Sequence, residues 1–307
     1  MIFRPDYIEA LKPFMGKPLV KILAGIRRCG KSTIFEMLRE ELVRSEIPAE
    51  NIIVKRYTEM DIPENLTAKQ MYDELVAAMD GKGYCYLLLD EIQEIDGWEK
   101  AVNSLLESGN ADIYVTGSNS KLMSSEISTY LTGRYISIPV FTLSFREYLD
   151  FKAGSTSSRN ELLEEYIRFG GFPIIALGEY DSQSAYQIVN GVYHTVVSRD
   201  IVKRHRINKQ DLFDRVVKYV IENMSKTFSA NSISNFLKSE HRTVSVESIY
   251  NYLRWLEQAF IIYPCERYDL QGKGILKTQE KYYLADVSLK YALLGYNRKM
   301  LDGAIEN

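Results

Sequence analysis

Cysteine is scarce: the 307 residues hold three, Cys29, Cys85 and Cys265, which stand far apart in sequence and form no zinc-ligand spacing, so a zinc or disulfide framework has little support. A reduced, cytoplasmic setting is the expectation. Long apolar runs are missing as well. None approaches the ~20 residues that span a bilayer, so no membrane partner is expected. The opening stretch MIFRPDYIEALKPF holds acids and two prolines instead of an uninterrupted apolar segment, and does not read as a secretory leader. Charge of one sign is also lacking, with 38 Lys+Arg against 41 Asp+Glu for a net −3. That argues against binding nucleic acid by bulk charge alone and leaves room for a local basic patch. There is no internal repeat and no long low-complexity segment. What the chain does have is 46% hydrophobic and 12% aromatic residues, enough for about two domains with real cores at roughly 150 residues each.

The first half alternates short β-rich runs with helical stretches. Residues 20–25, 51–57, 84–90, 112–118 and 135–140 read as five strands, several apolar almost throughout, as parallel strands covered on both faces are. Helices are expected at 31–45, 67–79, 98–108 and 119–131. The alternation predicts an α/β sandwich with a parallel sheet. After Leu149 the pattern changes. The Gly/Ser-rich stretch 151–160 reads as a linker or loop, and helices are expected beyond it at 161–169, 182–205, 211–224, 229–239 and 245–259. A β-like pair, 260–269 and 281–286, is separated by the turn signal QGKG. Three helices and then a two-strand ribbon is the order of a winged helix-turn-helix, an order that helix-rich domains also produce.

Gly25-Ile26-Arg27-Arg28-Cys29-Gly30-Lys31-Ser32 fits G-x-x-x-x-G-K-[ST], with an apolar strand before it and a helix after it, as a phosphate-binding loop requires. Chance would place such a match in roughly 1% of chains this long. Gly25 and Gly30 allow turns closed to residues with a Cβ. The loop's N–H groups, from Ile26 through Cys29, and the positive end of the helix beginning near Lys31 then face the phosphates. Lys31 is expected to reach the β- and γ-phosphates, and Ser32 to bind Mg²⁺ through its hydroxyl. Thr33 contacts the α-phosphate or simply starts the helix. Arg27 and Arg28 meet phosphate or solvent.

The strand YCYLLLD ends in Asp90-Glu91, a buried strand delivering acids to a polar edge, which is the Walker B arrangement. Asp90 is expected to hold Mg²⁺ through water, and Glu91 to orient or deprotonate the attacking water. The next strand ends in Thr116-Gly117-Ser118-Asn119. Ser118 and Asn119 are candidates to sense the γ-phosphate or the water, against a plain turn that uses Gly and Asn for unusual dihedrals. Thr116 is less exposed by position. Arg134, before the fifth strand, is the candidate charge-stabilising arginine, acting within its own chain or on a neighbour, or else a surface arginine. A P-loop kinase is the weaker alternative, because an acid comes directly after Asp90.

From Arg199 to Arg254 there are 11 Lys/Arg and six Asp/Glu, a local +5 that includes Lys203-Arg204-His205-Arg206. Such an excess suits phosphate contacts to DNA. The would-be recognition helix, 245–259, starts with Ser245, Glu247, Ser248 and Asn251, poor equipment for base reading. Tyr250, Leu253 and Leu256 read as its core face. Packing or contact with a protein client is the simpler use of this module, and sequence-independent DNA binding the alternative. His194 and His205 read as structural or surface residues.

Taken together, GIRRCGKST (25–33), LLLDEIQEIDGWE (87–99), VTGSNSKL (115–122), LTGRYISIPVFTLSFREYL (131–149), GGFP (170–173) and the later pieces SRDI (198–201), SIYNYLRWLEQAFII (248–262) and EKYYLADVS (280–288) resemble a family of prokaryotic AAA-type P-loop ATPases. In that family the ATPase domain is succeeded by a winged-helix region and a C-terminal domain of unknown function. The resemblance implies ATP at Gly25 to Thr33, Mg²⁺ and water chemistry at Asp90-Glu91, a sensor role near Ser118-Asn119, and polar support from Gln93 in the family's D-E-x-Q pattern. Trp98 is expected to pack. Ser288 stands where the family usually has glycine. ATP in place of GTP is implied by the resemblance, and no guanine-reading N/T-K-x-D motif is suitably placed.

The expected architecture is therefore a three-layer P-loop NTPase sandwich with a five-stranded parallel sheet, then a mainly helical region with a winged helix-turn-helix. Its expected divisions are an ATPase domain at 1–150, a linker and helical segment at 151–205, a winged-helix-like domain at 206–290, and the start of a truncated C-terminal domain at 291–307. The expected activity is hydrolysis of Mg·ATP driving a conformational switch on the C-terminal half. The alternative is a DNA-binding regulator that holds ATP as a structural ligand.

Overall fold

The structure, a computed structural model, describes residues 2–59, 62–63, 65–119, 122, 130–207, 209–265 and 280–295. The chain divides into two compact units, Met1–Gly25 with Gly30–Val140 and Ile26–Cys29 with Phe141–Asn307.

In the first unit five parallel strands, β1 (Val20–Ala24), β2 (Ile52–Arg56), β3 (Cys85–Asp90), β4 (Ala111–Gly117) and β5 (Tyr135–Pro139), lie in the order β2-β3-β4-β1-β5. β1 and β4 are buried at every residue, which explains their unbroken apolar reading: a parallel strand covered on both faces has no solvent side to mark with polar residues. The cover comes from α1 (Pro5–Leu11), α2 (Lys31–Arg44), α3 (Ala68–Met79) and α4 (Trp98–Ser108). The connection β1-α2-β2 runs toward one edge of the sheet, and β2-α3-β3-α4-β4 runs back. Right-handed crossovers therefore put α2 on one face and α3 and α4 on the other. α1 packs on α2, and α3 on α4. The α/β class and the five-stranded parallel sheet are those expected from the sequence. The helix expected at 119–131 falls largely outside the described residues.

Lys21, near the start of β1, has a fully buried side chain paired with the equally buried Asp112. The ammonium also donates to the Lys17 carbonyl at 3.0 Å, and Asp112 accepts from the Gly16 N–H and the Tyr114 hydroxyl, each at 2.7 Å. Burial pulls the Lys21 pKa below its ordinary value, and Asp112 opposes it.

The second unit contains α5 (Phe145–Phe151), α6 (Arg159–Phe169), α7 (Pro173–Leu177) and α8 (Ser182–Val196), the last running on through a π-helical turn at Val197–Val202 to Lys203–His205. Then come α9 (Gln210–Glu222), β6 (Thr227–Phe228), α10 (Ala230–Ser239), α11 (Val246–Gln258), β7 (Ile262–Cys265), β8 (Glu280–Leu284) and α12 (Ser288–Leu294). β6, β8 and β7 form an antiparallel sheet with β8 in the middle. The expected loop is confined to 152–158, because Ser144 with Glu147 and Ser158 with Glu161 close capping boxes that start α5 and α6. The expected ribbon is there as β7 and β8, with β6 as an unforeseen third strand. The QGKG turn and residues 296–307 lie outside the described residues. On α11 the expected core face is shifted: Tyr250 is exposed, and Ile249 and Tyr252 are buried beside Leu253 and Leu256.

Two of the motif pieces meet in this unit. Asp286 is buried and accepts the N–H groups of Gly171 at 2.8 Å and Ser288 at 2.9 Å, together with the Ser288 hydroxyl. Gly170 sits at φ +75, and a Cβ there would run into the Asp286 carboxylate. One on Gly171 would overlap the Leu143 carbonyl. Burial pushes the Asp286 carboxyl up, against the hydrogen bonds from Ser288, Gly171 and Thr142. GGFP and the Asp286 turn are thus two halves of one polar latch. Ser288 supplies its N–H and its hydroxyl to it.

Candidate nucleotide site

The strand order brings three strand ends to one edge of the sheet. β4 lies between β1 and β3, so the loops that leave the C-terminal ends of these three strands converge. The register sets Ala24 level with Gly117, and the Gly25 N–H donates to the Gly117 carbonyl at 3.3 Å. From that tether the chain passes through the loop and into the 14-residue α2. Gly30, which precedes the helix, has φ 103, a conformation that a Cβ disfavours. Ile26 and Cys29 turn their side chains inward and are buried, so toward a ligand these positions offer backbone. Arg28 is exposed at φ 64, and Ser32 and Thr33 are exposed on the first turn of α2. The Lys31 ammonium is buried and donates to the Gly25 carbonyl at 3.0 Å.

β3 delivers Asp90, buried, and then Glu91, which adopts the left-handed conformation at φ 53. Such a backbone is uncommon for a residue with a Cβ and persists where its surroundings hold it. Here they do. The Glu91 N–H donates to the Thr116 hydroxyl at 2.9 Å, and that hydroxyl donates in turn to Asp90. The Glu91 carboxylate accepts from Gln93 at 2.6 Å and from Ser118 at 2.9 Å on one oxygen, while its other oxygen lies 3.5 Å from Lys31. Lys31, Asp90, Glu91 and Ser118 are thus brought together. Asn119 is buried at the same strand tip; of the two strand-tip candidates, Ser118 bonds Glu91. Thr116, not among the expected site residues, proves to be the bridge between Asp90 and the Glu91 backbone. Its one sign in the sequence is a hydroxyl among apolar neighbours on a strand.

Arg134 is not brought to this edge. It immediately precedes β5, and its carbonyl accepts from Val20 at the start of β1, five residues before the loop begins. Its guanidinium is held by Asn103 at 2.6 Å and Glu107 at 3.1 Å on α4. Its place at the end of the sheet where the strands begin sets it apart from the loop, which leaves the C-terminal end of β1. Trp98 is buried, as expected of a packing residue.

The donor set suits a triphosphate carried with a divalent cation. It offers a buried ammonium beside a glycine-bracketed loop, the N-terminus of a long helix, and a hydroxyl and a carboxylate (Ser32 and Asp90) of the hard-oxygen kind that Mg²⁺ prefers. Among the described residues no group of three or more His, Cys, Asp or Glu could hold a metal by itself.

Residues 17–149 match the AAA domain family, and residues 160–299 match a domain of unknown function (DUF8612). An uncharacterised protein of Haemophilus influenzae is 34% identical over 312 residues, covering 100% of this chain and 77% of that protein. The chain belongs to this family of AAA-type P-loop ATPases. Another uncharacterised relative, from Methanocaldococcus jannaschii, is 31% identical over 290 residues, covering 89% of this chain and 62% of its own length. Among solved structures, the Walker-type ATPase of Pyrococcus abyssi aligns over 96% of both chains with a TM-score of 0.62 at 16% identity, a likeness of fold. Among the described residues no helix of this family member is long and apolar enough to cross a membrane.

Proposed function

We propose that the chain binds Mg·ATP at Gly25–Thr33 and hydrolyses it, using the cycle as a conformational switch on its C-terminal half. The observation that supports this best is the convergence of Lys31, Ser118 and Gln93 on the Glu91 carboxylate at the edge where β1 and β3 end. Lys31 would meet the β- and γ-phosphates, and Ser32 and Asp90 would hold the cation, whose chemistry is to neutralise charge on the phosphates. Glu91, fixed by its two donors, would orient the attacking water and accept its proton. Ser118 and Asn119 would register the γ-phosphate. Arg134 would serve a neighbouring chain if it acts on nucleotide at all. A cytoplasmic setting and an unidentified protein client complete this reading. Steady-state phosphate release from Mg·ATP, wild type beside Glu91→Gln, is the test. Turnover lost with nucleotide binding retained is expected, and undiminished turnover in the variant would refute the role of Glu91.

A second reading rests on the element order α9-β6-α10-α11-β7-β8, which suits a winged helix-turn-helix. On that reading the chain is a DNA-binding regulator that holds ATP as a structural ligand, using the basic stretch 199–254. Part of that basicity is taken up internally: Arg215 bonds Glu240 at 2.6 Å, and Arg242 pairs with Asp211. Salt-sensitive binding of duplex DNA, lost on neutralising Lys203, Arg204 and Arg206, would support this reading; no binding at low salt would dispose of it.

A further inference from the structure

The two arginines of the phosphate loop are placed differently. Arg28 is exposed. Arg27 is drawn in: its Nε donates to Asp200 Oδ2 at 2.7 Å and its Nη2 to Asp200 Oδ1 at 2.9 Å. Only 13% of the arginine side chain and 3% of the aspartate side chain remain exposed. Asp200 lies in the π-helical turn Val197–Val202, a conformation that is rare and frequently found at functional sites. The same helical run ends in Lys203–His205, with Arg206 in the left-handed conformation that stops it. The loop tip Ile26–Cys29 groups with the unit that contains Asp200, although Gly25 and Gly30 on either side group with the sheet.

We propose that Asp200 and the phosphates of the nucleotide compete for Arg27, so that Asp200 holds nucleotide affinity down and nucleotide binding opens the Arg27–Asp200 pair. This rests on the placement of ATP at Gly25–Thr33 proposed above. Arg27 occupies a variable position of a loop that wraps phosphates, and a guanidinium fork fits carboxylate and phosphate with the same two-pronged geometry. While the pair is closed, Asp200 neutralises the one inward-drawn guanidinium of the loop, and that neutralisation opposes an incoming triphosphate. Coupling of this kind is reciprocal: the factor by which Asp200 weakens nucleotide is the factor by which nucleotide weakens the pair. The turn that is released leads directly into Lys203, Arg204 and Arg206, so the occupancy of the loop is passed to the basic stretch through one carboxylate.

The test is titration of the 307-residue chain with fluorescent mant-ATP and Mg²⁺, in wild type, Asp200→Asn, Arg27→Gln and Lys31→Ala, together with amide hydrogen exchange across 197–206 with and without ATP. Asp200→Asn should bind about fivefold tighter or more. Arg27→Gln should bind more weakly than wild type, and adding Asp200→Asn to it should change nothing further. Exchange across 197–206 should quicken with ATP in wild type and be indifferent to ATP in Arg27→Gln. If Asp200→Asn binds no tighter than wild type while Lys31→Ala loses binding, the competition is overturned and the nucleotide site stands. If wild type binds no nucleotide, or Lys31→Ala binds as wild type does, the site itself is overturned and the competition with it. Should Asp200→Asn fail to fold, the exchange comparison in wild type and Arg27→Gln decides alone.

Discussion

Ser118 Oγ lies 2.9 Å from Glu91 Oε2, on the same carboxylate oxygen that the Gln93 amide reaches at 2.6 Å. Two donors from different strand ends therefore fix one oxygen of the residue proposed to handle the attacking water, and leave the other toward Lys31.

Removing either donor should misplace Glu91 without touching the loop. Ser118→Ala and Gln93→Ala are each expected to lower kcat about 10- to 100-fold, as small misplacements of reacting groups do, with ATP affinity within about twofold of wild type. Single-turnover kinetics beside equilibrium binding separates the two quantities. A variant that loses affinity and keeps kcat would show that its side chain does not act through Glu91.

Arg134 is tied to Asn103 and Glu107 at the edge of the sheet where the strands begin. Arg134→Ala should therefore leave mant-ATP affinity unchanged in dilute protein. If the arginine serves a neighbouring chain, wild-type turnover per chain should rise with protein concentration and that of the variant should not, which a dilution series of phosphate release reads directly.

The buried Lys21–Asp112 pair makes a strong stability prediction. Asp112→Ala strands an ammonium inside the sheet and leaves the Gly16 N–H and the Tyr114 hydroxyl without this acceptor. A loss of about 3–5 kcal/mol is expected. Lys21→Met with Asp112→Leu should recover most of it, since an apolar pair carries no desolvation penalty. Urea melts of the wild type and the two variants check both statements.

Gly170→Ala should be disproportionately harmful for a single methyl. The position combines a left-handed φ with the Asp286 carboxylate in the space a Cβ would take. Its melting temperature should fall well below that of Gly154→Ala, a glycine with open space around it. Differential scanning calorimetry of the pair would show it.

How much of this was legible depends on how local the cause is. The five strands were readable because burial on both faces makes them apolar, and the loop because its glycines, lysine and serine must be contiguous. α5 announced itself through Ser144 and Glu147, a capping signature that the alternation of strands and helices overshadowed, and α6 begins two residues before the expected helix for the same reason. Asp200 and Thr116 were not legible as partners. Each meets its contact across the fold, Arg27 from 173 residues away and Asp90 from 26, and nothing in the neighbouring sequence records such a meeting. Arg134 shows the converse case. Adjacency to a strand was readable, but the end of the sheet it occupies is set by strand direction. Tyr250 was misassigned by one position on α11, where Ile249 and Tyr252 face the core in its place.

The place of β1 between β4 and β5 has a consequence for synthesis. The strand that feeds the phosphate loop is made first, yet both of its lateral neighbours come from residues 111–117 and 135–139. Until a ribosome has released β4, β1 has neither lateral neighbour and Gly25 lacks the Gly117 carbonyl that tethers it. Pairing so remote in sequence is slow to form and leaves apolar strand edges exposed meanwhile. A nascent chain that ends before β4 carries the letters of the loop without the strand that tethers it.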